Sequence, residues 1–509
     1  MNLYKLHIFT IVVSAVFASV VKVKADDSVQ YEVGVTGVVS SGDFAPYHIV
    51  SLNNGRFTQA QVFQTELSAW KKMDASERFS YGFGIDVVGS REESTAYRRF
   101  DGESKSWFSH KERPSSFWIH QLYGEAKYRG LFLEAGLKEQ SSNLLNQRLS
   151  SGDLIESGNT RPMPQLRAGF NDFQNIPLTG GWFQIYGEAA FGCMLDDGWW
   201  RDHYNYYDRH IVSDQLYNYK CVYFRTKPEM SFSATFGMQA AAFFGGETKF
   251  YYDGVLSKSV THPRTLKYFV KMMFPLQDGG DGFYSGSHLG TWDIRLRYRL
   301  KNGDKLYAYT SWLWEDGSGI GRLNGWDGLW GLEYEASKDG LVKGALIEYF
   351  DFTNQSGPIH FVPDDYPGCT LPGHVSGADD YYNNATYSSF AYYGMSLGTP
   401  VMMSPIYNLN GYVGYVGNAV RGFHVGIEGA LTPRLDYRIK GSRRKAWGTA
   451  KIMLDTPLHL NSLMVETSWR PAKVDGLIVD LSMELDRGNM PSNAFGVMLG
   501  VRYAGVFGR

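Results

Sequence analysis

Hydrophobic and polar side chains alternate with a period of two along most of this chain. Phe79, Tyr81, Phe83, Ile85 and Val87 alternate with Ser80, Gly82, Gly84 and Asp86, and Trp292, Ile294, Leu296, Tyr298 and Leu300 with Thr291, Asp293, Arg295, Arg297 and Arg299. The same rhythm runs through Leu435–Ile439, Phe423–Ile427 and Leu477–Leu485, and segments of this kind begin near Tyr31, Phe63, Trp118, Leu131, Trp182, Phe232, Leu266, Leu306, Trp330, Leu341 and Leu463. In a strand successive side chains face opposite sides, so each segment predicts a strand with one apolar and one polar face. Rows of Arg, Asp, Glu and Lys on strands of about 9 to 11 residues suit a tilted membrane-crossing strand. Strands of soluble sandwiches are usually nearer 5 or 6 residues. The predicted fold is all-β, a transmembrane antiparallel β-barrel of the bacterial outer membrane. Counting segments and favouring an even number gives about 18 strands.

The connections predict an orientation. Lys301–Asp304, Ser337–Gly340 and Pro471–Gly476 are tight, turn-forming sequences, whereas about residues 88–115, 140–180, 193–220 and 351–389 do not alternate. Bacterial barrels have short periplasmic turns and longer external loops, so the Ser337–Gly340 turn is expected inside and the 351–389 loop outside or in the lumen. Trp70, Trp118, Trp292, Trp312, Trp314 and Trp469 stand at strand ends, where interfacial girdles are expected. The last segment, Phe495 to Phe507, carries an apolar stripe ending in an aromatic close to the C-terminus, the pattern by which barrel-assembly machinery is thought to recognise its clients.

Composition agrees: 15% aromatic residues and 57 glycines favour β-structure, and 20% charged residues with a mean hydropathy of -0.29 exclude a polytopic helical membrane protein. Residues 1–25 read as a secretory signal: Lys5, an apolar run from Ile8 to Val21, and Val23-Lys24-Ala25 before the expected cut. That run falls short of the roughly 20 residues that cross a bilayer. Residues 26–509 are then the barrel with its loops. Removing Lys5, Lys22 and Lys24 makes the formal net charge more negative than -2, so no nucleic-acid partner is expected.

The loops hold the specific chemistry. The pieces Ser151-Gly152, Gly158-Asn159-Thr160-Arg161-Pro162 with Pro164-Gln165, Ile176-Pro177, Gln355-Ser356-Gly357-Pro358, Asp380-Tyr381-Tyr382-Asn383-Asn384 with Tyr387, Tyr393-Gly394 and Gly398-Thr399-Pro400 stand in two long stretches, and Ser41-Gly42-Asp43-Phe44-Ala45-Pro46-Tyr47 opens the chain after the leader. Together they resemble the capsule-assembly Wzi family of outer-membrane proteins, especially its members in Bacteroidetes-like bacteria. The resemblance spans the chain. It implies an 18-stranded barrel that acts as a lectin and holds capsular polysaccharide on the cell surface. The enterobacterial branch carries an N-terminal helical bundle; here a strand pattern begins almost at once after Ala25, and that bundle is not carried over.

Read from the residues alone, two clusters suit carbohydrate. Trp199, Trp200, Tyr204, Tyr206 and Tyr207 lie among Asp196, Asp197, Arg201, Asp202 and Asp208, and Tyr381 and Tyr382 among Asp379, Asp380, Asn383 and Asn384. Flat rings pack on the C–H faces of sugars while carboxylates, carboxamides and Arg bond hydroxyls; the bland alternative is that these residues hold the loops together. Asn159 and Arg161 are expected to organise an inward-folded loop. Cys193 and Cys221 could brace the loop bearing Trp199 with a disulfide, or be buried thiols, and Cys369 has no partner in that scheme. Cys193, His203 and His210 lack zinc-like spacing. Asp364, Asp365, Asp379 and Asp380 could hold Ca²⁺, a solvated acidic surface being plainer. No cofactor or metal is expected. No Ser, His and Asp motif and no Walker or dinucleotide fingerprint stands out, so the expected function is not enzymatic. The partners expected are surface polysaccharide, outer-membrane lipid and the barrel-assembly machinery; a porin-like channel for sugars or small solutes is the alternative, to which the Arg rows are equally suited.

Overall fold

A computed structural model describes residues 29–274, 285–356 and 379–507. The expected leader and Asp364, Asp365 and Cys369 lie outside the described residues. Eighteen strands form one closed antiparallel sheet: β1 (Gln30–Phe44), β2 (Gln59–Lys71), β3 (Phe79–Glu92), β4 (Phe117–Tyr128), β5 (Leu131–Leu137), β6 (Pro164–Phe170), β7 (Phe183–Cys193), β8 (Leu216–Thr226), β9 (Phe232–Phe244), β10 (Ser287–Arg299), β11 (Lys305–Trp314), β12 (Gly328–Glu335), β13 (Gly344–Asp351), β14 (Val420–Thr432), β15 (Leu435–Gly448), β16 (Met453–Trp469), β17 (Leu477–Gly488) and β18 (Ala494–Val506). Each pairs with its neighbour in sequence, a two-residue piece at Gln174–Asn175 adds to β7, and β18 closes on β1 from Gln30 against Val506 to Ser40 against Gly496. Closure leaves no edge strand, which a lipid environment requires.

The period-two pattern sets the facing. Ile294, Leu296, Tyr298, Ile347, Val425, Leu463, Leu499 and Val501 are exposed on the outer wall, while Ser80, Asp86, Asp293, Glu348, His424, Ser482 and Glu484 are buried inside. One end carries tight or short connections, such as 129–130, 300–304 and 433–434, together with Gln30 and Val506; the other carries 45–58, 93–116, 138–163, 194–215, 245–274, 285–286, 315–327, 352–356 and 379–419. We refer to them as the turn end and the loop end.

Three expectations change, and of the two readings of Cys193 and Cys221 the disulfide is excluded. The segment at Leu266 is a helix, α1 (Leu266–Met273), not a strand. β6 lies in the middle of the stretch read as loop. Trp70 and Trp118 share strand parity with the inward Gln64 and His120, and Trp314 packs over Gly290 and is fully buried, so these three are not lipid girdle. No disulfide joins Cys193 and Cys221. Cys221 pairs with Glu188 on β7, five residues from Cys193 and on the opposite face, a separation of about 16 Å along the strand at ~3.3 Å per residue.

Three segments of the loop end fold into the lumen. Residues 45–58 enter first: the amides of His48 and Ile49 each donate to the Glu484 carboxylate at 2.8 Å. Residues 138–163 follow, with Ser151 N donating to Glu348 at 2.7 Å, Asn146 to Glu333 at 3.0 Å, Asn143 to Glu188 at 2.9 Å, and His424 Nε2 to Leu149 O at 2.6 Å. Residues 379–419 close over them, and Arg444 Nη1 donates to the carbonyls of Pro400 and Val401 at 2.8 and 3.0 Å. Backbone removed from water needs partners. The inward polar rows of the wall supply them, from β7, β12, β13, β14, β15 and β17. Leu149, Ile155, Met402 and Tyr415 at the centre are fully buried.

Candidate functional site

Asn159 joins the three inward segments. Its Oδ1 accepts from Leu52 N at 3.1 Å and its Nδ2 donates to Ser396 O at 3.2 Å. Two residues on, Arg161 emerges into a cleft of about 130 Å³ at the loop end, lined among others by Glu92, Tyr97, Glu112, Asp197, Trp199, His203 and Tyr393. The guanidinium lies between two rings, 3.9 Å from the centre of Trp118 and 4.8 Å from that of Tyr393, and its Nε donates to Gly55 O at 3.3 Å. Gly55, in a left-handed conformation, lets the chain approach: a Cβ there would stand 2.6 Å from Arg161 N.

No carboxylate forms an ion pair with Arg161 among the described residues. Burial, the largest influence, holds its guanidinium below its ordinary value, against the pull of Tyr393 and Glu92. Such a group favours an acceptor-rich ligand, because charge-assisted hydrogen bonds are roughly twice as strong as neutral ones. Glu92, which also lines the cleft, accepts from Ser90 Oγ at 3.1 Å through Oε1, and its Oε2 is buried. Asp197 accepts the Tyr393 hydroxyl at 3.1 Å. Asp196 accepts from Gly198 N at 3.2 Å just ahead of the short helix Trp199–His203, and burial raises its carboxyl above its ordinary value. His203 lies flat on Trp199 at 4.2 Å with Nδ1 donating to Trp199 O, and burial pushes its imidazole down to about 4, so it is neutral at pH 7.

The structure therefore brings Arg161 and Trp199 to one cleft, although they come from different loops. Trp200 packs edge-on against Trp199 at 4.9 Å and is buried; Tyr204 is fully buried against Tyr206 and Tyr251. No signal in the sequence marks Glu92, Trp118 and Tyr97 as site residues, since nothing in it places these segments beside loops far along the chain. Tyr393 stood only as one of the resembling pieces.

The second cluster lies elsewhere, and its expected exposure is corrected. Tyr381 and Tyr382 are fully buried and offer no ring face to a ligand. The Tyr381 hydroxyl accepts from Asn324 at 2.9 Å and donates to Asp327 at 3.1 Å; that of Tyr382 donates to Leu154 O at 2.7 Å and accepts from Thr399 N at 3.2 Å. Asp379 takes the Ser356 hydroxyl, Asp380 accepts from Asn418 at 2.6 Å, Asn383 brackets Tyr415 through both its N–H and C=O at 2.9 Å, and Asn384 Oδ1 caps the amides of Thr386 and Tyr387. These residues fold the loop. Tyr382→Phe should accordingly lower stability by roughly 1–3 kcal/mol, because Thr399 N loses its buried acceptor; urea titration of the assembled barrel measures it, and an unchanged midpoint would contradict this placement.

One group of metal-ligating atoms occurs among the described residues, Asp86, His120 and Glu139. Arg56 already supplies its cation, reaching Glu139 at 2.6 Å, Asp86 at 3.3 Å and Glu66 at 3.0 Å.

The sequence matches no family model and no curated protein. Its fold is similar to that of solved outer-membrane barrels. One is Escherichia coli Wzi, described as an outer membrane protein involved in group 1 capsule assembly and as a carbohydrate binding β-barrel: 14% identity, TM-score 0.54, over 92% of this chain and 83% of that one. Pseudomonas aeruginosa OccK3 (OpdO) aligns at 10% identity and TM-score 0.43 over 95% and 96%, and Acinetobacter baumannii OccAB4 at 12% and 0.44 over 95% and 99%. At these identities the likeness is one of fold.

Proposed function

We propose that this chain is a non-enzymatic outer-membrane barrel of the Wzi type that binds surface polysaccharide at the Arg161 cleft and supports capsule assembly or retention, with its loop end outside. The inward segments carry this reading: all three bond to wall residues on several strands, and ligand chemistry gathers at the loop-end cleft above them. A guanidinium without an ion-pair partner, set between aromatic faces, supplies donors to a hydroxyl-rich ring, and the Asp197 carboxylate lining the same cleft supplies acceptors. Weak contacts of this kind add up when a polymer engages many receptors at once. The fold similarity to a carbohydrate binding barrel supports the same reading.

The test pairs two measurements. In planar bilayers the purified protein should show no steady porin-like conductance. In cells producing capsule, Arg161→Ala should leave the heat-modifiable barrel intact while polymer moves from the cell surface into the medium; loss of a charged hydrogen bond of about 1.5–3 kcal/mol corresponds to roughly ten- to hundredfold weaker binding per site. Steady conductance together with normal retention in a whole-protein deletion would replace this reading with the channel.

Orientation has its own check. An epitope inserted at the Asp253–Gly254 turn, between the strands Glu247–Tyr252 and Val255–Thr261, should label on intact cells, and one at Lys338–Asp339 only after permeabilisation. The reverse pattern would invert the barrel.

A further inference from the structure

Near the loop end the outer wall of β8 and β9 departs from the lipid-facing pattern. Cross-strand partners share a face, so Val222, Met238 and the exposed Trp292 form one outward row, and Lys220 with Ala240, then Asn218 with Ala242, form the next rows toward the loop end. Lys220 and Asn218 are polar at outward positions, and Ala240, Ala242 and Phe244 are buried although they point away from the lumen. α1 covers them. Tyr268, Phe269 and Met272 pack on Ala242 and Phe244, with the Phe269 ring 5.0 Å from Phe244 and 5.1 Å from Phe191. Lys220 Nζ donates to Met272 O at 2.6 Å and to Asn218 Oδ1 at 3.0 Å, tying the C-terminal end of the helix to the wall.

The face of α1 turned from the wall is apolar. Leu266, Val270 and Phe274 follow at a spacing of four and are 80, 50 and 63% exposed, with Lys267 exposed beside them. The bond from Lys220 sets the C-terminal end of the helix lowest, one row above that of Trp292. Beyond Trp292, Trp312 and Trp330 continue the outward aromatics, their rings edge-to-face at 5.2 Å. Tryptophans at such positions mark the membrane–water interface, and a helix with an apolar stripe and flanking Lys lies in that interface.

We propose that α1 is an interfacial anchor whose Leu266, Val270 and Phe274 stripe enters the lipid surface at the loop end of the barrel. The lipid-facing wall is continuous with the stripe, and lipid is the occupant that covers both. The anchor is tied to the cleft: the strand Val255–Thr261 shortly before α1 pairs with Glu247–Tyr252, which pairs with Asp208–Ser213 in the loop that carries Trp199.

The test uses the full chain in lipid vesicles containing radiolabelled phospholipid, with a photoreactive diazirine residue at Val270, at Ile347 on the lipid-facing wall, or at Lys258 in the external hairpin. Val270 is expected to capture lipid at a yield within about threefold of Ile347, and Lys258 at background. Capture at background from Val270, or adducts to a second copy of the chain in place of lipid, would overturn the proposal; should the Val270 variant not assemble, Phe274 is read by the same standard.

Discussion

Leu296→Arg should destabilise the assembled barrel by roughly 2–4 kcal/mol, the cost of Arg on the lipid face near the midplane, whereas Arg297→Leu one residue away should cost far less. Leu296 stands on the outer wall between Ile294 and Tyr298 and lines a lipid-facing groove with Ala308, Leu332 and Ile347. A guanidinium there has no partner and must draw in water or headgroups. Arg297 instead points inward at the turn end, donating to Met230 O at 3.1 Å and also to Pro228 O, both in a short connection open to water. Its loss leaves carbonyls that water can satisfy. Urea titration of heat-modifiable migration in vesicles measures both variants, and equal midpoints would show that the facing of β10 is misassigned.

That contrast explains why the barrel was legible in the sequence. Lipid on one side and a polar, protein-filled lumen on the other impose opposite demands on successive residues, so the period of two survives over whole strands. It fails where the demands change. Leu266, Tyr268, Val270 and Met272 alternate with Lys267 and Lys271 in much the way a strand would, yet the segment has left the sheet and lies on the outer wall, where helical spacing serves both of its faces. β6 is short, opens on Pro164 and is flanked by Pro162 and Asn171, composition that reads as loop. Trp118 defied the girdle expectation because the interior is packed with protein, so a large ring gains as much inside, beneath Arg161, as in lipid. Tyr381, Tyr382 and their Asp and Asn neighbours carry the side chains of a sugar site, but a buried backbone folded into the lumen needs the same groups to satisfy itself. Composition alone does not separate the two uses; the placement of the loop does.

The largest functional change expected from one substitution is at Glu484. Its carboxylate is buried on β17 and accepts the amides of both His48 and Ile49, while the neighbouring Asp486 accepts Tyr47 N at 2.8 Å and Arg444 covers the Tyr47 ring at 3.8 Å. These contacts latch the short helix Tyr47–Val50 to the wall, with Ile49 and Val50 in an apolar cluster beside Val38 and Val62. Glu484→Ala removes both acceptors and leaves two buried N–H groups unsatisfied at about 1–3 kcal/mol each. The strand ladder of β17 with its neighbours uses backbone groups and is unaffected, so the loss falls on the inward segment. The variant should assemble, show new protease cleavage within residues 45–58, and produce conductance steps in planar bilayers where the parent protein is silent. Glu484→Gln keeps one acceptor oxygen and should lie between the two. If Glu484→Ala stays silent and resists protease, the segment is held by its apolar contacts and the latch is not the carboxylate; if the parent protein conducts as freely as the variant, the lumen is already open and the channel reading displaces the lectin.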